Sequence, residues 1–211
     1  AHLPYSDNRF QLNLYVGTPV PVYSYIYHEY VNNFMGNQVC AMMNKVEENY
    51  TYRLAYSFTA GDMLSLVTLG DGKVEYSWDD WIAPHDKTVD KQVAYNFIRT
   101  LNGWRQGAAG KYLHVGRMVK PVAVTCGKQH FTLDDGSSYV PDEVLTTAYT
   151  LDGTTLQFVV NYNRCEVNVT LPYALGGFLD STLTEEFIPT DELTIAPLSV
   201  VALKLVDLTK M

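Results

Sequence analysis

The sequence predicts an α/β unit followed by an all-β domain, and three features of the 211-residue chain point there. Val22 to Tyr27 is rich in β-branched and aromatic residues and apolar on both faces, the pattern of a parallel strand covered by helices. Between residues 47 and 104 apolar side chains recur at helical spacing. After Lys120-Pro121 the period changes to strict alternation, the mark of half-buried strands. The expected division is residues 1–118 as the closing part of a (β/α)8 TIM barrel and residues 119–211 as an antiparallel β-sandwich.

The first 17 residues are polar and irregular, and the strand expected over Val22 to Tyr27 is broken by Asn32-Asn33 and Gly36-Asn37. A short helix is expected over Gln38 to Lys45 and another over Glu47 to Gly61, where Tyr50, Leu54 and Phe58 form a stripe that Gly61 ends. Met63 to Leu69 reads as a second short buried strand, closed by Gly70-Asp71-Gly72. Asp90 to Trp104 reads as an amphipathic helix, with Val93, Phe97, Leu101 and Trp104 on one face. Ala108 to Leu113 then leads into Gly116. Two parallel strands cannot bury both faces or satisfy their own edges. The earlier barrel strands are therefore expected upstream of Ala1, which is no initiator Met, or on a companion chain.

In the β half, Leu156, Phe158, Val160 and Tyr162 point one way, with Gln157, Val159 and Asn161 opposite. Cys165, Val167, Val169 and Leu171 alternate in the same manner, and Asn163-Arg164 has the length of a tight hairpin between the two runs. A last pair of strands, Leu193 to Ala196 and Leu198 to Val206, is punctuated by Pro197.

Composition narrows the function classes. A net charge of −8 and a pI near 5.0 argue against nucleic acid and anionic membrane, which select clustered Lys and Arg. No apolar run reaches the length of a membrane span. The 16 tyrosines exceed the needs of a core this size, and an aromatic face with a polar tip suits the C–H face and hydroxyl rim of a sugar. Tyr-rich β packing accounts for about half of them. Cys40, Cys126 and Cys165 show neither disulfide-framework nor zinc spacing, so free thiols and no metal or cofactor are expected.

The run Pro21-Val22-Tyr23-Ser24-Tyr25-Ile26-Tyr27-His28-Glu29-Tyr30 resembles the late-strand segment of a group of bacterial β/α-barrel proteins related to glycoside hydrolases, the DUF6259-like group. Arg53 to Met63 and Lys111 to Met118 are similar to its continuation, and the C-terminal strands resemble the β-sandwich that follows many glycosidase barrels. The resemblance spans nearly the whole chain and implies a glycoside hydrolase acting on a carbohydrate, extracellular or periplasmic. The barrel strands it also implies before Ala1 are absent from this sequence.

Within that expectation His28-Glu29 stands at the C-terminal mouth of a barrel strand, where barrel active sites assemble. Glycoside hydrolysis uses two carboxyl groups, and Glu29 is the candidate acid/base or nucleophile, with His28 and Tyr27 as substrate contacts. The competing reading of Glu29 is a tie between the strand end and a neighbouring loop. Trp78, Asp79, Asp80 and Trp81 combine stacking faces with hydroxyl acceptors, and either aspartate is a candidate second carboxylate. The alternative has the tryptophans pinning a loop and the aspartates capping a turn. Asp62 reads as a helix-end turn residue or a substrate contact. Two other readings of the whole chain stay open: a non-catalytic carbohydrate-binding or structural module, and a subunit that completes its barrel with another chain.

Overall fold

The computed structural model describes residues 22–31, 47–63, 67–68, 74–75, 91–132 and 138–205. Four helices come early: α1 (Val22–Tyr27), α2 (Glu47–Thr59), α3 (Lys91–Gln106) and α4 (Gly110–Val115). Between α2 and α3 lie two short strands, β1 (Val67–Thr68) and β2 (Val74–Glu75). After α4 come β3 (Arg117–Val119), β4 (Phe131–Thr132), β5 (Ser138–Tyr139), β6 (Val144–Leu151), β7 (Thr154–Asn161), β8 (Val167–Phe178), β9 (Glu186–Ile195) and β10 (Ser199–Leu205). Six of them form one antiparallel sheet in the order β3-β6-β7-β10-β8-β9.

The helical stripes do what their spacing predicts. Leu54 and Phe58 of α2, and Phe97, Leu101 and Trp104 of α3, are all buried. Gly61, at φ +82°, closes α2. Its N–H donates to Phe58 O and that of Asp62 to Ser57 O, the paired bonds of a Schellman turn, which only a residue tolerant of positive φ makes cheaply. Helices α2, α3 and α4 then pack on one face of the sheet around Phe158. Phe58 and Trp104 both meet its ring edge-on at a centroid distance of 6.0 Å. Side chains from both sides of position 118 share this core.

The opposite face is covered by the chain itself. Val144, Val159, Val201 and Leu203 pack against Val167, Val169, Leu171 and Leu175 of β8 and Ile195 of β9. Strand β8 reaches both places because it is bent: Gly177 and Phe178 pair with β10, while Val167 to Thr170 pair with β9 and not with β10. The register shifts between Thr170 and Leu175, and such irregularity turns a strand out of its sheet. A bridge between Thr125 and Thr170 extends this covering layer. Gln157, buried among aliphatics, acts as a substitute backbone: its amide nitrogen donates to Val122 O at 2.9 Å and its oxygen accepts from Val122 N–H at 2.8 Å. The alternation expected along β7 is thus present, one face aromatic and the other aliphatic with two amides.

Several expectations are corrected. Val22–Tyr27 is a helix, not a strand; Ser24 and His28, four residues apart, turn to one face and are buried, and tertiary contacts override β-propensity. Of Met63 to Leu69, only Val67–Thr68 form a strand, paired antiparallel with β2. Among the described residues every strand pairing is antiparallel, and no parallel barrel strand occurs. Asn163-Arg164 does not close a hairpin, because β10 lies between β7 and β8. The Asn161 amide instead holds this arch, donating to Cys165 O, Ile195 O and Ala196 O and accepting from Asn163 N–H. The strands on either side of Pro197 are not sheet neighbours, since β8 separates them. The tight hairpin is β6–β7, turning at Asp152 (φ 50°) and Gly153 (φ 74°), the type I′ pattern of an Asp-Gly pair.

Asn161→Ala leaves three carbonyls without their donor in a buried site and is expected to cost about 3 kcal/mol. Urea denaturation measures it; a loss under about 1 kcal/mol would mean that water replaces the amide.

Candidate functional site at the α1 junction

His28, in the turn that follows α1, contacts the body directly. The His28 ring, 5% exposed, is wedged between the α4–β3 junction and Tyr149 of β6. Its Nδ1 lies 2.7 Å from Gly116 O and its Nε2 lies 2.9 Å from Leu113 O. The ring stacks on Tyr149 at 4.5 Å between centroids, tilted by 37°. Gly61 closes the remaining side so tightly that a Cβ there would stand 2.1 Å from His28 Nε2. The Tyr149 hydroxyl donates to Thr59 O at 2.8 Å, tying β6 to the end of α2.

Behind the ring lies a buried charged pair. Arg105, near the end of α3, donates through Nη2 to Asp62 O. It lies within electrostatic reach of the Asp62 carboxylate, and Asp62 is fully buried. Burial pushes the Arg105 pKa down, with Tyr149 and Asp62 opposing. Burial likewise raises the Tyr149 phenol well above its usual value, which keeps it a neutral donor. His28 is held below its ordinary pKa by burial; the two carbonyls oppose this, and Arg105 and His114 add to it. His114 is lowered too, first by burial and then by Arg105.

The outer face of α1 has a different character. Val22, Tyr25, Ile26, Tyr27 and Tyr30 are exposed, and Glu29 is half-buried among them. The Tyr30 phenol hydrogen-bonds the Glu29 carboxylate, which raises the phenol's pKa. In the β half Phe131, Tyr149, Phe158, Tyr162 and Phe178 are buried, while Tyr173 of β8 is exposed.

The expected site residues therefore separate. Glu29 and Tyr27 are presented outward. The ring of His28 turns inward and both its nitrogens face main-chain carbonyls, so it positions α1 and is not offered to a substrate. With α1 a helix, the strand-mouth argument for Glu29 no longer applies. Trp78, Asp79, Asp80 and Trp81 lie outside the described residues. Asp62 takes the helix-end role. Arg105 and Tyr149 escaped the sequence reading. Arg105 was visible as a cation four residues after Leu101 on the apolar stripe of α3; Tyr149 carries no such signal.

Among the described residues no group of three or more His, Cys, Asp and Glu side chains is placed to hold a metal ion. No helix there is long and apolar enough to cross a membrane. No family model matches the chain, and no curated protein matches it.

Two substitutions test the junction. Tyr149→Phe removes a buried donor from Thr59 O and is expected to cost about 1–2 kcal/mol in thermal or urea unfolding. Gly61→Ala strains a positive φ and drives a methyl into His28, so amide exchange of residues 24–31 should rise well above that of β7 and β10. Equal protection in this variant and wild type would remove Gly61 from the junction.

Proposed function

We propose that this chain is the C-terminal portion of a glycoside hydrolase, cleaving glycosidic bonds by acid/base chemistry. The observation that carries the reading is the cluster of exposed tyrosines, Tyr25, Tyr27 and Tyr30, on α1 and the turn after it, beside Glu29. Tyr27 ends α1 and Tyr30 lies in the turn after it, both exposed, and exposed tyrosine rings suit stacking against a sugar with hydroxyl contacts at the rim. Glu29 supplies the carboxyl group, and the Tyr30 hydrogen bond orients it. In this reading Trp78, Asp79, Asp80 and Trp81 line the neighbouring subsites and one aspartate gives the second carboxylate.

The resemblance of residues 21–30 to a barrel-enzyme segment supports the same class. Helices α1–α4 then belong to the closing part of a (β/α)8 barrel whose strands come from an upstream segment or a companion chain. The six-stranded body is the accessory β-sandwich behind it, placed outside the cell or in the periplasm.

Expressed together with its upstream segment and assayed on a panel of aryl glycosides, the protein is expected to hydrolyse at least one. Glu29→Gln should then lower kcat/KM by about 10²–10⁴-fold, the range for a lost general acid or base. Undiminished hydrolysis by that variant would sink Glu29 as the catalyst.

A further inference from the structure

We propose that the glycan bound beside Glu29 is acidic, and that Arg117, exposed at the start of β3, pairs with a uronic-acid carboxylate of that glycan. This substrate class rests on Glu29 and its neighbouring tyrosines being a carbohydrate site.

The backbone brings the two charged residues together. His28 Nδ1 lies 2.7 Å from Gly116 O, and Glu29 and Arg117 are the next residues along each segment. Helix α1 also packs beside β3. His28 and Gly116 are buried, whereas Glu29 is half-buried and Arg117 exposed, so the charged side chains leave this contact on the side facing solvent. The Arg117 guanidinium is within electrostatic reach of the Tyr30 phenol, which hydrogen-bonds Glu29. Arg117 is nonetheless not engaged by Glu29: among the described residues it makes no ion pair. A carboxylate and a guanidinium thus stand on adjoining backbone without neutralising each other.

The local charge runs against that of the whole chain. The net charge is −8, yet residues 111–120 carry Lys111, Arg117 and Lys120, all exposed, and no Asp or Glu. An acidic protein repels an anionic glycan at long range, so such a glycan needs a basic strip where it docks. At short range the requirement is sharper. A sugar carboxylate beside Glu29 meets a like charge, and a cation next to both offsets that repulsion. Arginine suits the task, because its planar guanidinium takes a carboxylate through two parallel N–H···O bonds. Tyr27 and Tyr30 remain available to the C–H face of the same sugar. A neutral sugar uses the tyrosines and Glu29 alone and gives Arg117 nothing to pair with.

The test compares two probes of equal length, an oligogalacturonate and the corresponding neutral oligogalactoside, by isothermal titration calorimetry at low ionic strength. The protein is prepared as for the glycoside assay. The acidic probe is expected to bind about three- to tenfold more tightly, the range for one solvent-exposed, charge-assisted pair. That preference should shrink as salt is raised. Arg117→Gln should bring the two affinities together. Arg117→Lys keeps the charge without the planar fork and should retain part of the preference. Equal binding of both probes by wild type would overturn the proposal. So would failure of the acidic probe to bind, or an acidic preference that survives Arg117→Gln undiminished. Binding needs no turnover, so the two readings fail separately. Equal affinities leave the carbohydrate site standing without its acidic substrate, whereas undiminished hydrolysis by Glu29→Gln removes the catalyst and leaves the affinity ratio untouched.

Discussion

Burial of strand β7 on both faces is the constraint from which the described structure follows. Its backbone is paired on both sides, with β6 and with β10, so it has no edge to offer water. Its side chains must then find two separate covers. Phe158 takes the helices, with Phe58 and Trp104 meeting it edge-on, and this fixes where α2 and α3 rest. Val159 takes the bent β8, and this obliges that strand to leave the sheet halfway along. Gln157 and Asn161 occupy the same aliphatic face, where their amides bond backbone groups of Val122, Cys165, Ile195 and Ala196.

The α1 junction is built on the opposite principle. Around β7, many dispersed apolar contacts share the load; at α1, a buried imidazole held by two main-chain carbonyls marks the contact. A ring enclosed by Gly61, Tyr149 and two carbonyls is held in a single orientation, which gives precision to whatever α1 presents outward. Burial, with Arg105 and His114 nearby, holds the same ring below its ordinary pKa. The Arg105–Asp62 pair behind it adds a second electrostatic element to the junction, and losing either partner would leave a buried charge uncompensated.

Loops at the far end of the sheet show the same use of polar side chains for shape. Asp180 caps the turn between β8 and β9, accepting from the N–H groups of Thr182, Thr184 and Glu185 and from both threonine hydroxyls. Those donors hold its carboxyl far below the usual range. They also support Leu183 at φ 59°, a conformation a branched residue adopts only under such restraint. The turn reaches the helical layer through Ser181 O, which accepts from Ala109 N–H at 3.2 Å.

Periodicity by itself determined a good part of this protein. The stripes of α2 and α3, the Gly61 stop and the two-faced alternation of β7 are local patterns, and local backbone geometry enforces them whatever lies nearby. Only the tertiary structure decided which strands are neighbours, since the insertion of β10 between β7 and β8 depends on pairings between residues far apart in sequence, such as Ser199 with Asn161 and Ala202 with Phe178. It also decided that Val22–Tyr27 is helical, because a short apolar run fits either period and the burial of Ser24 and His28 on one face selects the helix. For the same reason the sequence marked His28 and Glu29 as a pair, and the helix sent them to opposite duties. One residue along a helix is about 100° of rotation, which here separates a ring locked in the interior from a carboxylate at the surface.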